Sequence, residues 1–409
     1  MSNTFGSDFF KGNRERLRQL FTGTAPIVIT ANVSLQKSGD VSYTFHQDRN
    51  FWYLTGLDEP GIVLVMDKGK EYLILPERSH VLDVFEGEYS DDRMREISGI
   101  ETILPAKEGW KQLSARLKRA QHAATLAASP PFIDTISMAT NPARRMLIDR
   151  LKEIKPDIEL LDLRPHLMRM RMIKQEPEIA AIQKAIDITV ASIKAATTPA
   201  KMEKYHYEYE LEAEFVYGVK KRGATLAFES IVAGGKNACI IHYMVNNAPL
   251  EDNQLVLMDV GAEVDHYAAD LTRTFIKGNA SKRQRAVFDA VNEAVEFELS
   301  LLKPGVSFSD CEKELCQFVG EKLRELGLIK SISDEAIRKY YPHAPHYLGL
   351  DVHDVGDYKV PLEPGMVLTV EPGIYIPEEE IGVRLEEDVL ITPDGCEVLS
   401  KKLPRALVW

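Results

Sequence analysis

The sequence predicts an α/β domain over residues 1–170 and an α+β domain over residues 171–409. In the first part, short β-type runs alternate with helical stretches, which is the pattern of a sheet flanked by helices. In the second part, helices and strands in hairpin spacing come in separate blocks, which favours α+β. A polar connection at 155–157 and prolines at 165 and 177 lie between the two parts.

The first domain opens with a predicted amphipathic helix at 14–21. Predicted strands follow as β-branched and aromatic runs separated by Gly, Pro and Asp, at 27–30, 51–56, 61–67 and 71–76. From 110 to 153 the apolar residues recur at helical spacing, so we expect helices there.

The second domain begins with a long amphipathic pattern over EPEIAAIQKAIDITVASIKAATT, starting at Glu176. Further helices are predicted at 203–222, 281–303 and 307–327. Predicted strands occupy 254–264, 266–276, 366–376 and 383–392, and the first two are spaced as a hairpin.

Composition excludes several classes of protein. Hydrophobic residues make up 44% and charged residues 27% of the 409 residues, which is ordinary globular composition and excludes a disordered chain. With 62 acidic and 50 basic residues the net charge is -12, which argues against nucleic acid or an anionic membrane as the main partner.

The cysteines and the apolar runs indicate a reducing compartment. Four cysteines are too few for a disulfide framework, so we expect free thiols. The N-terminal stretch has no apolar signal region, and no run approaches 18 apolar residues. We therefore expect a cytoplasmic protein with no membrane span.

Acidic residues inside apolar strands are the first sign of chemistry. Asp259 ends LVLMD and Asp270 ends YAAD. With a hairpin centred between Val264 and Asp265, the two carboxylates lie directly opposite each other. Opposed like charges destabilise a strand pair, and burial makes this worse unless a proton or cation lies between them. The alternative is two aspartates on a solvent-facing side of the sheet.

Other candidate ligands lie further along the chain. Glu371 and Glu386 end or interrupt strands, and His346 and His353 lie in HYLGLDVHD. Taken singly, each could be a surface carboxylate or a structural histidine. Together, carboxylates with one histidine form an oxygen-rich ligand set suited to Mn²⁺, with Zn²⁺ or Co²⁺ possible. Two such ions activate water and polarise a carbonyl, which predicts a metal-dependent hydrolase.

The spacing of these residues resembles the pita-bread metallopeptidase family, which includes methionine aminopeptidases, prolidases and aminopeptidase P. The similar segments are LMDVGAEVDHYAADLTRTF, HYLGLDVHDVG, PGMVLTVEPGIYI and GVRLEEDVLIT. FWYLTGLDEPGIVLV at 51–65 resembles the N-terminal domain of aminopeptidase P, the branch to which the chain is most similar. The likeness spans nearly the whole chain and implies a catalytic pita-bread domain at 171–409.

The resemblance implies a site with two metal ions, expected to be Mn²⁺. Asp259 would bind one ion through both oxygens, and Asp270 and Glu386 would bridge the two. His346 and Glu371 would complete the shells, and Glu371 would also be the general base. A hydroxide bridging the metals would attack the carbonyl of an N-terminal Xaa-Pro bond in a peptide.

The resemblance also implies roles outside the ligand set. His242 and His353 match histidines that stabilise the tetrahedral intermediate or shuttle protons, while Arg384 and Tyr375 match residues that order the site. The Xaa-Pro bond has no N–H, so we expect recognition through the free α-amine and the proline ring. The N-terminal domain would contribute contacts in a homodimer or homotetramer and shield the mouth of the site.

One segment departs from the family pattern. The text before His346 is Pro342-His343-Ala344-Pro345, so His343 stands three residues before the ligand histidine instead of four. His343 either supplies the substrate-binding histidine of the family through a reshaped loop, or that histidine is absent.

Two alternatives to an aminopeptidase stay open at this point. A prolidase uses the same metals but cuts only Xaa-Pro dipeptides, and sequence separates the two poorly. A non-enzymatic pita-bread protein that only binds a ligand is the other, since fold does not imply function. Such proteins would be expected to have lost metal ligands, and all five are present here.

Overall fold

The computed structural model describes residues 5–128, 133, 138–342 and 345–408. The chain divides into two compact units, Met1–Met170 and Arg171–Trp409. Among the described residues, none of the helices combines the length and apolar character needed to cross a membrane.

The first unit contains a mixed sheet with helices. Its helices are α1 (Ser7–Leu20), α2 (Arg49–Thr55), α3 (His80–Glu86), α4 (Asp91–Ser98), α5 (Ala106–Leu117) and α6 (Ala143–Ile154), and α7 (Arg164–Met172) begins in this unit and ends two residues into the second. Its strands are β1 (Ile27–Thr30), β2 (Gln36–Ser38), β3 (Val41–Ser42), β4 (Val63–Asp67), β5 (Lys70–Ile74), β6 (Ile103–Leu104), β7 (His122–Thr125) and β8 (Glu159–Asp162). Six strands form one sheet in the order β6-β5-β4-β1-β7-β8, and β2 pairs with β3 separately.

The core of this unit lies between the sheet and two amphipathic helices. Val28 and Val65 on the strands pack in one cluster with Leu113 of α5 and with Leu147 and Leu151 of α6. The predicted strands at 27–30, 61–67 and 71–76 are confirmed as β1, β4 and β5. The helical pattern predicted over 110–153 is interrupted, because α5 ends at Leu117 and β7 follows.

The strand predicted at 51–56 is wrong, because these residues belong to helix α2. Asp48 caps the helix by accepting hydrogen bonds from the backbone N–H groups of Asn50 and Phe51, each at 3.0 Å. Gly56 ends it in the left-handed conformation at φ 72°. Every residue from Asn50 to Thr55 is buried, so the apolar run has no helical period by which to recognise it.

The second unit combines helices with antiparallel strands, as the α+β prediction requires. Its helices are α8 (Glu176–Ala196), α9 (Pro199–Met202), α10 (Glu208–Lys221), α11 (Lys282–Leu301), α12 (Phe308–Glu325) and α13 (Asp334–Arg338), with 3₁₀ turns at Gly235–Cys239 and Pro377–Glu379. Its strands are β9 (Thr225–Leu226), β10 (Ile231–Gly234), β11 (Gln254–Val260), β12 (Ala262–Val264), β13 (Tyr267–Ala268), β14 (Leu271–Lys277), β15 (Val367–Val370), β16 (Gly373–Ile376), β17 (Ile381–Arg384), β18 (Glu387–Thr392) and β19 (Gly395–Val398).

Short antiparallel sheets organise these strands. The orders are β10-β11-β14, β13-β12-β9, β15-β18-β19 and β16-β17. The segment predicted as a strand at 366–376 is broken at Glu371 and Pro372, and the one at 383–392 is broken at Leu385 and Glu386. Proline cannot donate to a ladder, which explains the first break. Both candidate glutamates therefore lie where a strand stops.

The predicted hairpin register is wrong by one residue on each strand. Asp259 pairs with Thr272, not with Asp270. A two-residue turn at Asp265 and His266, both with positive φ, sets the register, because it places the hairpin centre one residue later than expected. Gly261 is needed between β11 and β12, since an added Cβ would lie 1.8 Å from the carbonyl oxygen of Ala269.

Candidate metal centre

The five predicted ligands come from separate segments of the second unit. Asp259 lies near the end of β11, Asp270 just before β14, His346 ahead of β15, Glu371 directly after β15 and Glu386 directly before β18. Residues at strand ends escape the strict alternation of a strand, so their side chains can converge.

Three of these residues form a compact group. Asp270, His346 and Glu386 are buried, and each offers one ligand atom within 4.8 Å of the others. His346 Nε2 lies 3.5 Å from Asp270 Oδ2 and 3.6 Å from Glu371 Oε1. Asp259 joins the group electrostatically, because its charge raises the pKa of both Asp270 and Glu386.

The electrostatics of the group call for a cation. Burial, followed by the charges of Glu386 and Asp259, raises the pKa of Asp270 well above that of an ordinary aspartate. Burial and the charges of Glu371 and Asp259 do the same to the pKa of Glu386. Carboxylates this close and this buried ionise together only when positive charge lies between them.

Unsatisfied oxygens point to the same conclusion. Asp259 Oδ1 and Asp270 Oδ1 are buried and have no hydrogen-bond partner among the described residues. A buried carboxylate oxygen without a donor is costly, and each such atom in a folded protein needs an explanation. A divalent cation with oxygen and imidazole ligands fits these atoms, and this donor set suits Mn²⁺ or Zn²⁺.

His346 is held in the tautomer that a metal ligand requires. Its Nδ1 lies 3.0 Å from the carbonyl oxygen of Tyr347, which makes Nδ1 the donor and leaves the Nε2 lone pair facing Asp270. Burial lowers the pKa of His346, although the charge of Glu371 opposes this. The neutral imidazole is thus favoured.

Arg384 ties three strands to the carboxylate group. Its Nη2 donates to Asp259 Oδ2 at 2.5 Å, and its Nη1 donates to the Tyr375 hydroxyl at 2.9 Å. Its Nε donates to Thr272 Oγ1 at 3.0 Å, and that hydroxyl donates to Glu386 Oε2 at 2.6 Å. One guanidinium therefore contacts Asp259 directly and Glu386 through a threonine.

Sequence reasoning missed three residues that hold the ligands. Thr272 contacts Glu386, the Thr369 hydroxyl donates to Glu371 Oε1 at 3.1 Å, and Asp388 accepts the backbone N–H of Asp270 at 3.1 Å. A signal for Thr272 was present, because Asp270, Thr272 and Thr274 recur every second residue and therefore share one face of the chain at β14. Thr369 and Asp388 carry no such local pattern.

A cavity of about 1740 Å³ opens beside the group. His242, His346, His353, Glu371 and Arg384 all line it. His242 and His353 are exposed, and the ring centroids of His346 and His353 are 4.1 Å apart. Both predicted histidines therefore border the same cavity as Glu371 and Arg384. The prediction for His343 falls outside the described residues.

Each of the two units contains a match to the profile of a known protein family. Residues 180–393 match the profile of Metallopeptidase family M24, and residues 10–126 match the profile of the aminopeptidase P N-terminal domain. The two matches fall within the two compact units of the fold.

Individual relatives match over most of their length. The Xaa-Pro aminopeptidase of Escherichia coli is 33% identical over 98% of this chain and 96% of its own length. Human Xaa-Pro aminopeptidase 3 is 32% identical over 93% of this chain and 79% of its own length. The solved structure of zinc-substituted E. coli aminopeptidase P with product has a TM-score of 0.87 and 30% identity, covering 98% of this chain and 97% of that one.

Proposed function

The chain belongs to metallopeptidase family M24, and from this membership we propose that it is an aminopeptidase that hydrolyses the N-terminal Xaa-Pro bond of peptides. The observation that carries the proposal is the buried group of Asp270, His346 and Glu386 beside a cavity large enough for a peptide. The names of the full-length relatives support this substrate class.

We propose that this chain holds two divalent metal ions. Asp259, Asp270, His346, Glu371 and Glu386 would hold these ions through four carboxylates and one imidazole. Such ions supply a Lewis acid for the scissile carbonyl and lower the pKa of water. Mn²⁺ is the proposed metal, with Zn²⁺ or Co²⁺ able to use the same donors.

The remaining chemistry is assigned to side chains of this chain. Glu371 would accept a proton from the attacking water, and Glu371 or a histidine would deliver a proton to the departing proline nitrogen. His242 and His353, which line the cavity, donate hydrogen bonds where negative charge develops on the carbonyl oxygen. Arg384 keeps Asp259 in place, and Tyr375 orients the guanidinium.

An aminopeptidase differs from a prolidase in that it accepts peptides longer than a Xaa-Pro dipeptide. Pockets for small ligands usually measure about 300–1,000 Å³. The cavity of about 1740 Å³ exceeds this and leaves room for residues beyond the proline. The named relatives also favour the aminopeptidase.

Oligomerisation and a cytoplasmic location complete the proposal. Helix α3 exposes Val81 at 61%, Val84 at 69% and Phe85 at 83%, an apolar group that would be covered in a homodimer or homotetramer. All four cysteines are free thiols, which supports a reducing compartment such as the cytoplasm. Light scattering of the purified protein and fractionation of the source cells test these two points.

The test of function uses two substrates and metal-stripped protein. One is a Xaa-Pro dipeptide, and the other is a Xaa-Pro-Yaa-Yaa peptide with a free N-terminus. We expect release of the first residue from the longer peptide only after Mn²⁺ is added back. Cleavage of the dipeptide alone would make the protein a prolidase. Failure to cleave either peptide, with two metals bound per chain, would rule out both activities.

A further inference from the structure

Glu208 is a buried carboxylate with an unusual number of donors around it. It is the first residue of α10 and has no exposed surface. Its Oε1 accepts from Gly234 N at 2.8 Å and Asn237 Nδ2 at 3.0 Å. Its Oε2 accepts from the Tyr243 hydroxyl at 2.8 Å and Ala248 N at 2.9 Å. Both oxygens are thus saturated by hydrogen bonds.

The donors come from neighbouring stretches of chain, and one of these stretches carries His242, which lines the cavity. Gly234 ends β10, the strand in which Ile231 pairs with Asp259. Asn237 lies in the 3₁₀ turn that follows. Tyr243 comes directly after His242, which lines the cavity. The Glu208 carboxylate therefore links β10, which pairs with the strand that carries Asp259, to the segment that carries His242.

The segment around His242 depends on such anchors. Residues 240–247 are assigned neither to a helix nor to a strand, so they lack regular backbone support. Ile241 and Tyr243 pack against a buried cluster that contains Leu257 and Tyr375. His242 stands between these two anchored residues and is exposed to the cavity. Movement of Tyr243 would therefore move His242.

The direction of the Tyr243 hydrogen bond is fixed by chemistry. Burial, the hydrogen bond to Glu208 and the charge of Glu208 raise the pKa of Tyr243. The hydroxyl keeps its proton and donates it to Oε2. A carboxylate acceptor makes this a strong hydrogen bond, which suits it to fixing a segment without regular secondary structure.

We propose that Glu208 is a positioning residue that sets the place of His242 at the cavity through Tyr243. The proposal rests on the proposed peptidase function, in which His242 contacts the substrate carbonyl. Glu208 itself contacts neither substrate nor metal ligand in this scheme. Its effect on turnover passes through one hydroxyl and one neighbouring residue.

Tyr243→Phe is the mildest test, because it removes one hydroxyl and leaves the packing ring. Glu208→Gln is the second variant, since its amide would present N–H groups to partners that are themselves donors. We expect both to lower kcat about tenfold to a hundredfold, because small displacements of a catalytic group cost this much. KM and the number of Mn²⁺ ions bound per chain should change less than twofold.

Lys277→Met is the matched control for loss of a buried polar anchor. The Lys277 ammonium donates to the carbonyl oxygens of Tyr205 and Leu250 at 2.8 and 2.7 Å. It lies at the far end of β14 from Asp270, about 20 Å along the strand. This variant should lower the melting temperature while keeping kcat.

A double-mutant cycle with His242→Asn separates positioning from general destabilisation. If Tyr243 acts through His242, Tyr243→Phe should cost no further kcat in the His242→Asn background. Equal losses in both backgrounds, or an unchanged kcat in Tyr243→Phe alone, would overturn the proposal.

Failure of the proposed function is recognised separately, by Mn²⁺-loaded wild-type protein that cleaves neither peptide. The imidazole NMR signals of His242, assigned with His242→Asn, then decide the positioning role. Tyr243→Phe should shift them more than Lys277→Met does. Signals that shift no more than in that control would overturn the inference.

Discussion

Arg384 Nη2 lies 2.5 Å from Asp259 Oδ2, and both side chains are almost completely buried. The contact joins β17 to β11 and neutralises one acidic charge of the group. Asp270 and Glu386 remain close to His346, and burial together with neighbouring carboxylates raises the pKa of both well above ordinary values. The protein thus compensates part of the negative charge itself and leaves the rest for metal ions.

Replacing Arg384 should therefore destabilise the fold as well as the site. Arg384→Met leaves Asp259 buried without its partner, which costs about 3–5 kcal/mol for a pair of this kind. Urea unfolding of the metal-free protein measures this loss. Arg283→Met is the control, because its pair with Glu379 is one-third exposed and should contribute less than about 1 kcal/mol. Equal losses in the two variants would contradict the central role of Arg384.

Two adjacent glutamates should behave in opposite ways. Glu386 faces the ligand group, whereas Glu387 accepts from Arg273 Nη2 at 2.8 Å and from the Ser400 hydroxyl. Glu386→Gln should lower the Mn²⁺ count per chain and reduce kcat/KM about a hundredfold or more, with metal-free stability kept. Glu387→Gln should lose about 3–5 kcal/mol of stability and keep both metals. Metal analysis and urea unfolding of both variants check this reversal.

The hydroxyl of Thr272 should matter to metal affinity. Thr272→Val removes the donor to Glu386 and the acceptor for Arg384. We expect the affinity for Mn²⁺ to fall about tenfold to a hundredfold, which is typical when a contact that supports a metal ligand is lost. Calorimetric titration with Mn²⁺ measures it. Thr274→Val is the control on the same face of β14, because the Thr274 hydroxyl bonds the backbone N–H and carbonyl oxygen of Arg384. Thr274→Val should lose stability but keep the Mn²⁺ affinity.

The first unit contains a pH-dependent ion pair. Burial opposes ionisation of Glu71, but hydrogen bonds and charge from Arg14 and Arg18 lower its pKa below the usual glutamate value. A lowered pKa in the folded state means stability that is present above the unfolded pKa and lost as pH falls through the folded one. Glu71→Gln should therefore cost about 1.5–3 kcal/mol near neutral pH and much less in acid.

Unfolding of wild type and Glu71→Gln at neutral and acidic pH tests this sign. Glu15→Gln is the control, because Glu15 is 59% exposed and its 3.5 Å pair with Arg18 is weak. A difference between wild type and Glu71→Gln that stays constant with pH would show that the charge of Glu71 is not what stabilises the unit.

Several features followed from the sequence because they depend on residue type or on local period. The long helix over Glu176–Ala196 was predictable, since its apolar residues recur at helical spacing over 21 residues. The membership of the family was visible in the order of Asp259, Asp270, His346, Glu371 and Glu386. Ligand chemistry lies in side-chain identity, and identity is what a sequence states directly.

Other features were decided only by tertiary structure. All interior residues of helix α2 are buried, so its sequence lacks the alternation of apolar and polar residues at helical spacing that would have identified it. The β11–β14 register depends on positive φ at Asp265 and His266. Neither residue is a glycine, so the sequence did not mark the position of the turn.

The supporting contacts of the site were equally hidden. Thr272 and Glu386 meet across 114 positions of chain, and the partners of Glu208 lie up to 40 positions away. The sequence by itself determined which groups could bind metal. Only the packing of strand ends determined which groups meet, because contacts between residues distant in sequence leave no local pattern.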